Sequence, residues 1–130
     1  MSRVSYVDAS ALVKLVVAEP ESAKMERWFV ESERLLTSTV GVIETRRAAI
    51  RRAHDPARLA YVLRSIEVIE IGPWIAGRAG IVGLPSLRTL DAIHLATALA
   101  IQPDLDGFVT YDDRLAGAAR ALGLPVVSPA

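Results

Sequence analysis

Apolar and polar positions alternate along this chain in short blocks that switch between a strand period and a helix period. Val4-Ser5-Tyr6-Val7 is a run of β-favouring residues that stops at Asp8 and reads as a strand. Behind it Leu12, Leu15 and Val16 fall at helical spacing, with Ser10 placed to cap that helix. Pro20 opens a second helix, whose Met25, Trp28 and Phe29 form an apolar stripe assigned to the core. Arg34–Thr37 reads as a strand, after which Ser38 or Thr39 caps a long helix to about Ala53. Asp55-Pro56 pairs a cap residue with a proline at the first helical position, and Leu59, Val62, Leu63 and Ile66 follow in register. Val68–Ile71 is a third strand, ended by Gly72-Pro73, and residues 74–82 are a glycine-interrupted helix. Gly83–Arg88 is loop, and Thr89 or Leu90 opens a helix through Leu99. Phe108–Tyr111 is a strand, Asp113–Leu122 a helix and Pro125-Val126-Val127 a closing strand.

Strands that alternate with helices imply a mainly parallel sheet covered by helices on both faces, an α/β fold. The 130 residues make one domain of ordinary size, and no linker, repeat or low-complexity segment divides them. Aromatic residues are only 5% of the chain, which argues against recognition of bases by stacking on a sheet surface. The 15 basic and 15 acidic residues cancel, so any attraction for nucleic acid has to be local. With no cysteine, disulfides, thiolate nucleophiles and cysteine zinc sites are excluded, and two histidines make a histidine-rich metal site a poor reading. The N-terminus lacks the apolar run of a signal peptide, and no stretch is long enough to span a membrane without charges. The expectation is a soluble, cytoplasmic protein.

The chemistry lies in where the acids fall. Open parallel sheets bind ligands beyond the carboxyl ends of their strands. Asp8 directly follows the first strand and Asp112 the Phe108–Tyr111 strand, while Glu44 and Asp91 sit in the first turns of their helices. All four can meet at one sheet edge. Glu44 in Val42-Ile43-Glu44 and Asp91 in Leu90-Asp91-Ala92-Ile93 are acids in apolar surroundings, where an unpaired charge is costly. Clustered carboxylates also repel one another and raise their own pKa values. A divalent cation removes both problems, and an all-oxygen ligand set suits Mg²⁺ or Mn²⁺. Such cations activate water at a phosphodiester and stabilise the leaving oxygen, so no nucleophilic side chain is needed. Ser10 and Thr110 stand beside the acids as hydrogen-bonding support.

Each acid taken singly has a plainer reading. Asp8 serves as well to end a strand, Asp91 as a helix-start acid, and Glu44 as a partner for Arg47. One of Asp112 and Asp113 is the cap of the last helix. Arg46, Arg47, Arg51 and Arg52 read either as a solvated face or as a phosphate-contacting patch beside Glu44. His94, one turn from Asp91, reads as a structural helix residue, and His54 as surface.

Four segments recur here in a familiar order: Tyr6-Val7-Asp8-Ala9-Ser10-Ala11-Leu12, Ile43-Glu44, Leu90-Asp91-Ala92-Ile93-His94-Leu95-Ala96 and Phe108-Val109-Thr110-Tyr111-Asp112. Together with the ending Gly123-Leu124-Pro125-Val126-Val127 they resemble the PIN-domain nucleases over essentially the whole chain, and specifically the VapC-type toxins of toxin–antitoxin pairs. The resemblance implies a three-layer PIN fold over residues 1–130, with a parallel sheet of about five strands. It implies Mg²⁺- or Mn²⁺-dependent endonucleolytic cleavage of RNA such as tRNA or ribosomal RNA. The acidic quartet carries over onto Asp8, Glu44, Asp91 and Asp112, as both catalytic and metal-holding residues. Asp112 fits the Thr-x-Asp pattern, which leaves Asp113 as the helix cap and a supporting residue. A homodimer neutralised by a VapB-type antitoxin is implied as well, with any DNA binding belonging to the antitoxin.

Rival readings are an aspartate-dependent phosphatase and a non-catalytic interaction module. A haloacid-dehalogenase-like phosphatase needs an acid two residues after Asp8, where this chain has Ser10. A nucleotide-binding fold lacks its glycine-rich loop after the first strand. The interaction module predicts that losing Asp91 changes neither metal binding nor RNA integrity.

Overall fold

The computed structural model describes residues 3–130. Five strands run in chain order as β1 (Val4–Val7), β2 (Arg34–Ser38), β3 (Glu67–Ile69), β4 (Gly107–Val109) and β5 (Val126–Val127). The helices are α1 (Ala9–Val16), α2 (Ser22–Glu31), α3 (Thr39–Ile50), α4 (Pro56–Arg64), α5 (Pro73–Ala79), α6 (Thr89–Ala100) and α7 (Asp113–Ala121). All strand pairs are parallel, in the order β3-β2-β1-β4-β5. The first half of the chain therefore builds outward from β1 on one side, and the second half builds outward on the other.

The central strands are buried on both faces, as parallel strands under helices should be. Neighbouring residues on β1 and β4 enter different cores. Val7 and Val109 pack with Leu12, Val16, Met25, Leu59 and Val62 from α1, α2 and α4. Tyr6 and Phe108 stack with ring centroids 5.4 Å apart and pack with Leu95, Leu115 and Ala119 from α6 and α7. The result is the three-layer α/β fold expected from the alternation.

Several boundaries move inward from the sequence expectation, each for a local reason. The helix after Pro20 starts at Ser22, whose hydroxyl accepts from the Glu19 amide. The long helix ends at Ile50 rather than Ala53, and the glycine-interrupted helix ends at Ala79 before Gly80. The third strand is Glu67–Ile69 and not Val68–Ile71, because only Leu36, Thr37 and Ser38 are there to pair with it. The strand expected at Phe108–Tyr111 stops at Val109, where its ladders with Val7 and Val127 end. A short 3₁₀ turn at Gln102–Asp104 was not legible from the sequence pattern. After α7 the chain turns through Gly123 at φ +81°, with Gly123 N–H donating to Arg120 O and Leu124 N–H to Ala119 O. This is a Schellman stop, which only a residue at ease with positive φ makes cheaply, and it aims the chain back into β5. Trp28 is partly buried with the Arg3 guanidinium over its ring, and Phe29 is in the core.

Candidate active site

Strand order decides where the acids go. β1 and β4 are neighbours, yet the connections leaving them run to opposite sides of the sheet. Such a switch point opens a crevice beyond the strand ends. Asp8 and Thr110 are the residues next after these two strands, with Val7 paired to Val109 and Asp8 N–H donating to Val109 O.

Asp8 is only 4% exposed and has both carboxylate oxygens bonded. Oδ1 accepts from Ser10 Oγ at 2.7 Å and from the Ala11 amide at 3.1 Å. Oδ2 accepts from Thr110 Oγ1 at 2.6 Å. Asp8 is thus itself the N-cap of α1, and the expected cap, Ser10, instead holds the Asp8 side chain. Both residues satisfy the cap chemistry, but the extended backbone needed at a cap falls on Asp8 as it leaves the strand. Ser10 Oγ also accepts from the Tyr111 amide, and Thr110 Oγ1 from the Asp112 amide. These bonds stitch the loop after β1 to the loop after β4. Burial nevertheless pushes the Asp8 carboxyl above its ordinary range, against the opposing pull of Thr110 and Ser10.

Asp112 is the N-cap of α7, with Oδ1 accepting from the amides of Arg114 and Leu115. Its second oxygen takes no part in the cap. Asp113, expected as the cap, is the exposed first residue of that helix. It lines a separate cavity with Leu84, Leu87 and Arg114 and does not join the acids. Capping, expected of Asp113, falls on Asp112, the residue read from the sequence as the fourth acid.

Asp91 and Glu44 complete the edge from α6 and α3. Asp91 is half-buried, and burial followed by the Asp112 charge pushes its carboxyl upward. Asp91 Oδ2 is buried with no hydrogen-bond partner, and the nearest cation is Arg88 Nε at 3.7 Å. Glu44 does not pair with Arg47. Its Oε1 lies 2.6 Å from His94 Nε2, and His94 Nδ1 lies 2.7 Å from the Tyr6 hydroxyl. His94 and Tyr6 are both buried. Sequence reading set His94 aside as structural and saw Tyr6 only as a strand residue. The available signal was spacing: His94 lies one turn after Asp91, and Tyr6 lies on the same side of β1 as Asp8.

A groove of about 760 Å³ is lined by Ser10, Lys14, Glu44, Arg47, Arg51 and Tyr111, among others; of the four acids Glu44 lines it, and Asp8, Asp91 and Asp112 lie next to its lining residues Ala9, Leu90 and Tyr111 in the chain. The basic run therefore divides. Arg47 and Arg51 share the Glu44 face of α3 and line the groove. Arg52 is drawn to Glu19 at 3.0 Å, and Arg46 is exposed outside the lining.

The donor set fits a hard divalent cation in chemistry. All four acids offer oxygen, one buried carboxylate oxygen has no partner, and the mutual charges of Asp91, Asp112 and Glu44 are unfavourable without a counter-ion. Among the described residues, no three His, Asp or Glu side chains already surround one point at coordination distance.

The family model for the PIN domain matches residues 5–121. The chain belongs to the PIN-domain family. Among VapC-type PIN proteins, Ribonuclease VapC47 of Mycobacterium tuberculosis is 37% identical over 130 residues, covering 95% of this chain and 96% of that protein. The fold of this PIN domain is shared by a solved structure of Mycobacterium tuberculosis VapC20, described as a sarcin-ricin loop cleaving toxin. That structure has a TM-score of 0.73 at 18% identity and covers 96% of this chain and 99% of its own. A toxin–antitoxin complex from Klebsiella pneumoniae has a TM-score of 0.70 at 22% identity, covering 97% and 98%. Among the described residues of this PIN domain, no helix is long and apolar enough to cross a membrane.

Proposed function

We propose that this PIN domain is a divalent-metal-dependent endoribonuclease and the toxin of a VapBC-type pair, acting in the cytoplasm. The observation that carries the reading is the buried oxygen of Asp91 that makes no hydrogen bond, within the field of Asp112 and Glu44 at the switch point of the sheet. A buried carboxylate oxygen that makes no hydrogen bond and has only Arg88 at 3.7 Å is costly, and a bound cation would repay its desolvation. Family membership supplies the substrate class, since the curated relative is a ribonuclease.

In this reading Asp8, Glu44, Asp91 and Asp112 hold Mg²⁺ or Mn²⁺. Bound there, the cations would supply an activated water and charge stabilisation at the leaving oxygen of a phosphodiester. The chain's own residues do the rest. Ser10 and Thr110 fix the Asp8 carboxylate from both sides, and Asp112 is anchored through its cap bonds. Arg47 and Arg51 line the groove as contacts for RNA phosphates, with exposed Ile43 and Leu90 flanking the acids. The partners are RNA, a second copy of the chain and a VapB-type antitoxin, a pairing supported by fold neighbours that are toxin–antitoxin complexes.

The test is incubation of the purified protein with total RNA in Mg²⁺, Mn²⁺ or EDTA, beside Asp91→Asn. Discrete fragments that disappear with EDTA and in the variant are the expected result. RNA that stays intact with either metal, across total RNA preparations containing tRNA and ribosomal RNA, would turn the reading toward a non-catalytic interaction module.

A further inference from the structure

Of the four acids, Glu44 alone is tied to an imidazole, and that imidazole is tied in turn to a buried phenol. The chain of contacts is Tyr6 Oη to His94 Nδ1 at 2.7 Å, then His94 Nε2 to Glu44 Oε1 at 2.6 Å. It crosses three elements, β1, α6 and α3, and links residues 88 and 50 positions apart in sequence. His94 is 2% exposed and Tyr6 fully buried, so neither side chain has water as an alternative partner.

Close approach of α3 to α6 is what lets the chain close. A Cβ built on Gly41, in the first turn of α3, would lie 2.0 Å from Thr37 Oγ1 and 3.5 Å from His94 Cε1. The helix bearing Glu44 sits this close to Thr37 because residue 41 has no side chain, and the imidazole lies at ordinary contact distance from the same point.

We propose that His94, oriented by Tyr6, is a positioning residue that holds one oxygen of Glu44 and turns the other toward the cation and substrate side of the groove. The proposal rests on the reading of Glu44 as a cation-holding acid. Proton accounting favours this direction of the bonds. The Glu44 carboxylate can only accept, so the Nε2 that faces it at 2.6 Å carries the proton. A neutral ring then leaves a lone pair on Nδ1 to accept from the Tyr6 hydroxyl at 2.7 Å. Without the Nε2 donor, Glu44 on its three-bond side chain samples several rotamers in a partly open groove. Outer partners of this kind orient ligands at metal sites, and their loss typically weakens metal binding or activity by about 10–100-fold.

The experiment is Mn²⁺ binding by electron paramagnetic resonance on the full chain. It compares wild type, His94→Leu, His94→Gln, Tyr6→Phe and Asp91→Asn, with melting curves in EDTA for each. His94→Leu is expected to weaken Mn²⁺ binding by about 10–100-fold. His94→Gln, which restores an N–H near the position of Nε2, should recover most of that loss even if it melts as early as the leucine variant. Tyr6→Phe removes one hydroxyl and should weaken binding by less. In the metal-free wild type, ¹⁵N-detected imidazole spectra should show a proton on His94 Nε2.

Unaltered Mn²⁺ affinity in folded His94→Leu, with affinity lost in Asp91→Asn, would overturn the positioning role and leave the nuclease reading intact. Should the leucine variant fail to fold, unaltered affinity in Tyr6→Phe together with an unprotonated Nε2 would overturn it equally. Absence of Mn²⁺ binding in wild type would instead remove the metal reading, and the positioning role with it.

Discussion

Just beyond the sheet, Asp8 is almost fully buried and both of its oxygens are bonded to hydroxyls and an amide. On the helices, Asp91 is half-buried with a buried oxygen that makes no hydrogen bond, and Glu44 is held on one side only. The first arrangement is fixed by backbone that must be where it is, because Asp8 is one peptide beyond a central strand and caps the helix that follows. The second hangs on side chains from two separate helices. In the proposed function the two halves divide the labour: Asp8 is the rigid acid that sets the location of the site, and Asp91 is the acid left to meet what binds there. Folding alone would stabilise Asp8 by its capping bonds. Asp91 has only the Arg88 guanidinium at 3.7 Å and the His94 ring set against its burial and the Asp112 charge, which is why the proposed function gives it a cation.

The largest effect should come from breaking the rigid half. Asp8→Ala removes a cap and a carboxylate together. RNA cleavage should fall by well over the 10–100-fold usual for an outer partner, with a stability loss of about 1 kcal/mol from the cap. Cleavage assays and urea unfolding read the two losses separately. Next comes Asp112→Asn, which keeps an acceptor for the α7 amides. Its melting temperature should stay near wild type while cleavage drops by about 100-fold, if its free oxygen serves the cation as proposed. A melt that collapses in this variant would mean that capping is the main role of the residue.

Thr110→Val tests how far the rigid half depends on its hydroxyl. It leaves Asp8 Oδ2 buried without its 2.6 Å donor and should cost about 1–3 kcal/mol by denaturant unfolding. Acidity sharpens the same comparison. Burial raises the Asp8 carboxyl above its unfolded value, so the native state binds more protons than the unfolded state between those two values. This contribution to stability is fully present below the unfolded pKa and is lost as pH rises through the folded one. In EDTA, Asp8→Asn should therefore gain in melting temperature relative to wild type on going from pH 4 to pH 8. Saturating Mn²⁺ should raise the melting temperature of wild type at pH 8 and leave that of the variant nearly unmoved. A gap between the two that stays constant with pH would show that the buried charge carries no such cost.

The smallest effects belong to the arginines. Arg47→Ala and Arg51→Ala should each raise KM for RNA a few-fold and flatten its salt dependence by about one phosphate contact. Arg46→Ala should do neither, since it lies outside the groove lining. Equal effects at all three positions would mean a diffuse electrostatic attraction instead of a defined wall.

The local patterns carried much of this molecule. Asp55-Pro56, the alternation of branched strands with amphipathic helices and the closing Pro125-Val126-Val127 sufficed for an α/β layer order and for nearly every element, because each is set by residues a few positions apart. The acids Asp8, Glu44, Asp91 and Asp112 stood out in sequence because each follows a strand or opens a helix. Which of Asp112 and Asp113 caps α7 was decided by the backbone angle at the exit from β4, which local spacing does not encode. The bond between Glu44 and His94 was beyond sequence reach for a stronger reason. It exists because β1 lies beside β4, because α6 returns over Tyr6, and because Gly41 lets α3 approach. Sequence by itself determined the elements and the residues with chemistry to offer, through short-range periodicity and capping. Only the tertiary structure decided which of those residues meet, since strand order and helix approach depend on contacts between segments far apart in the chain.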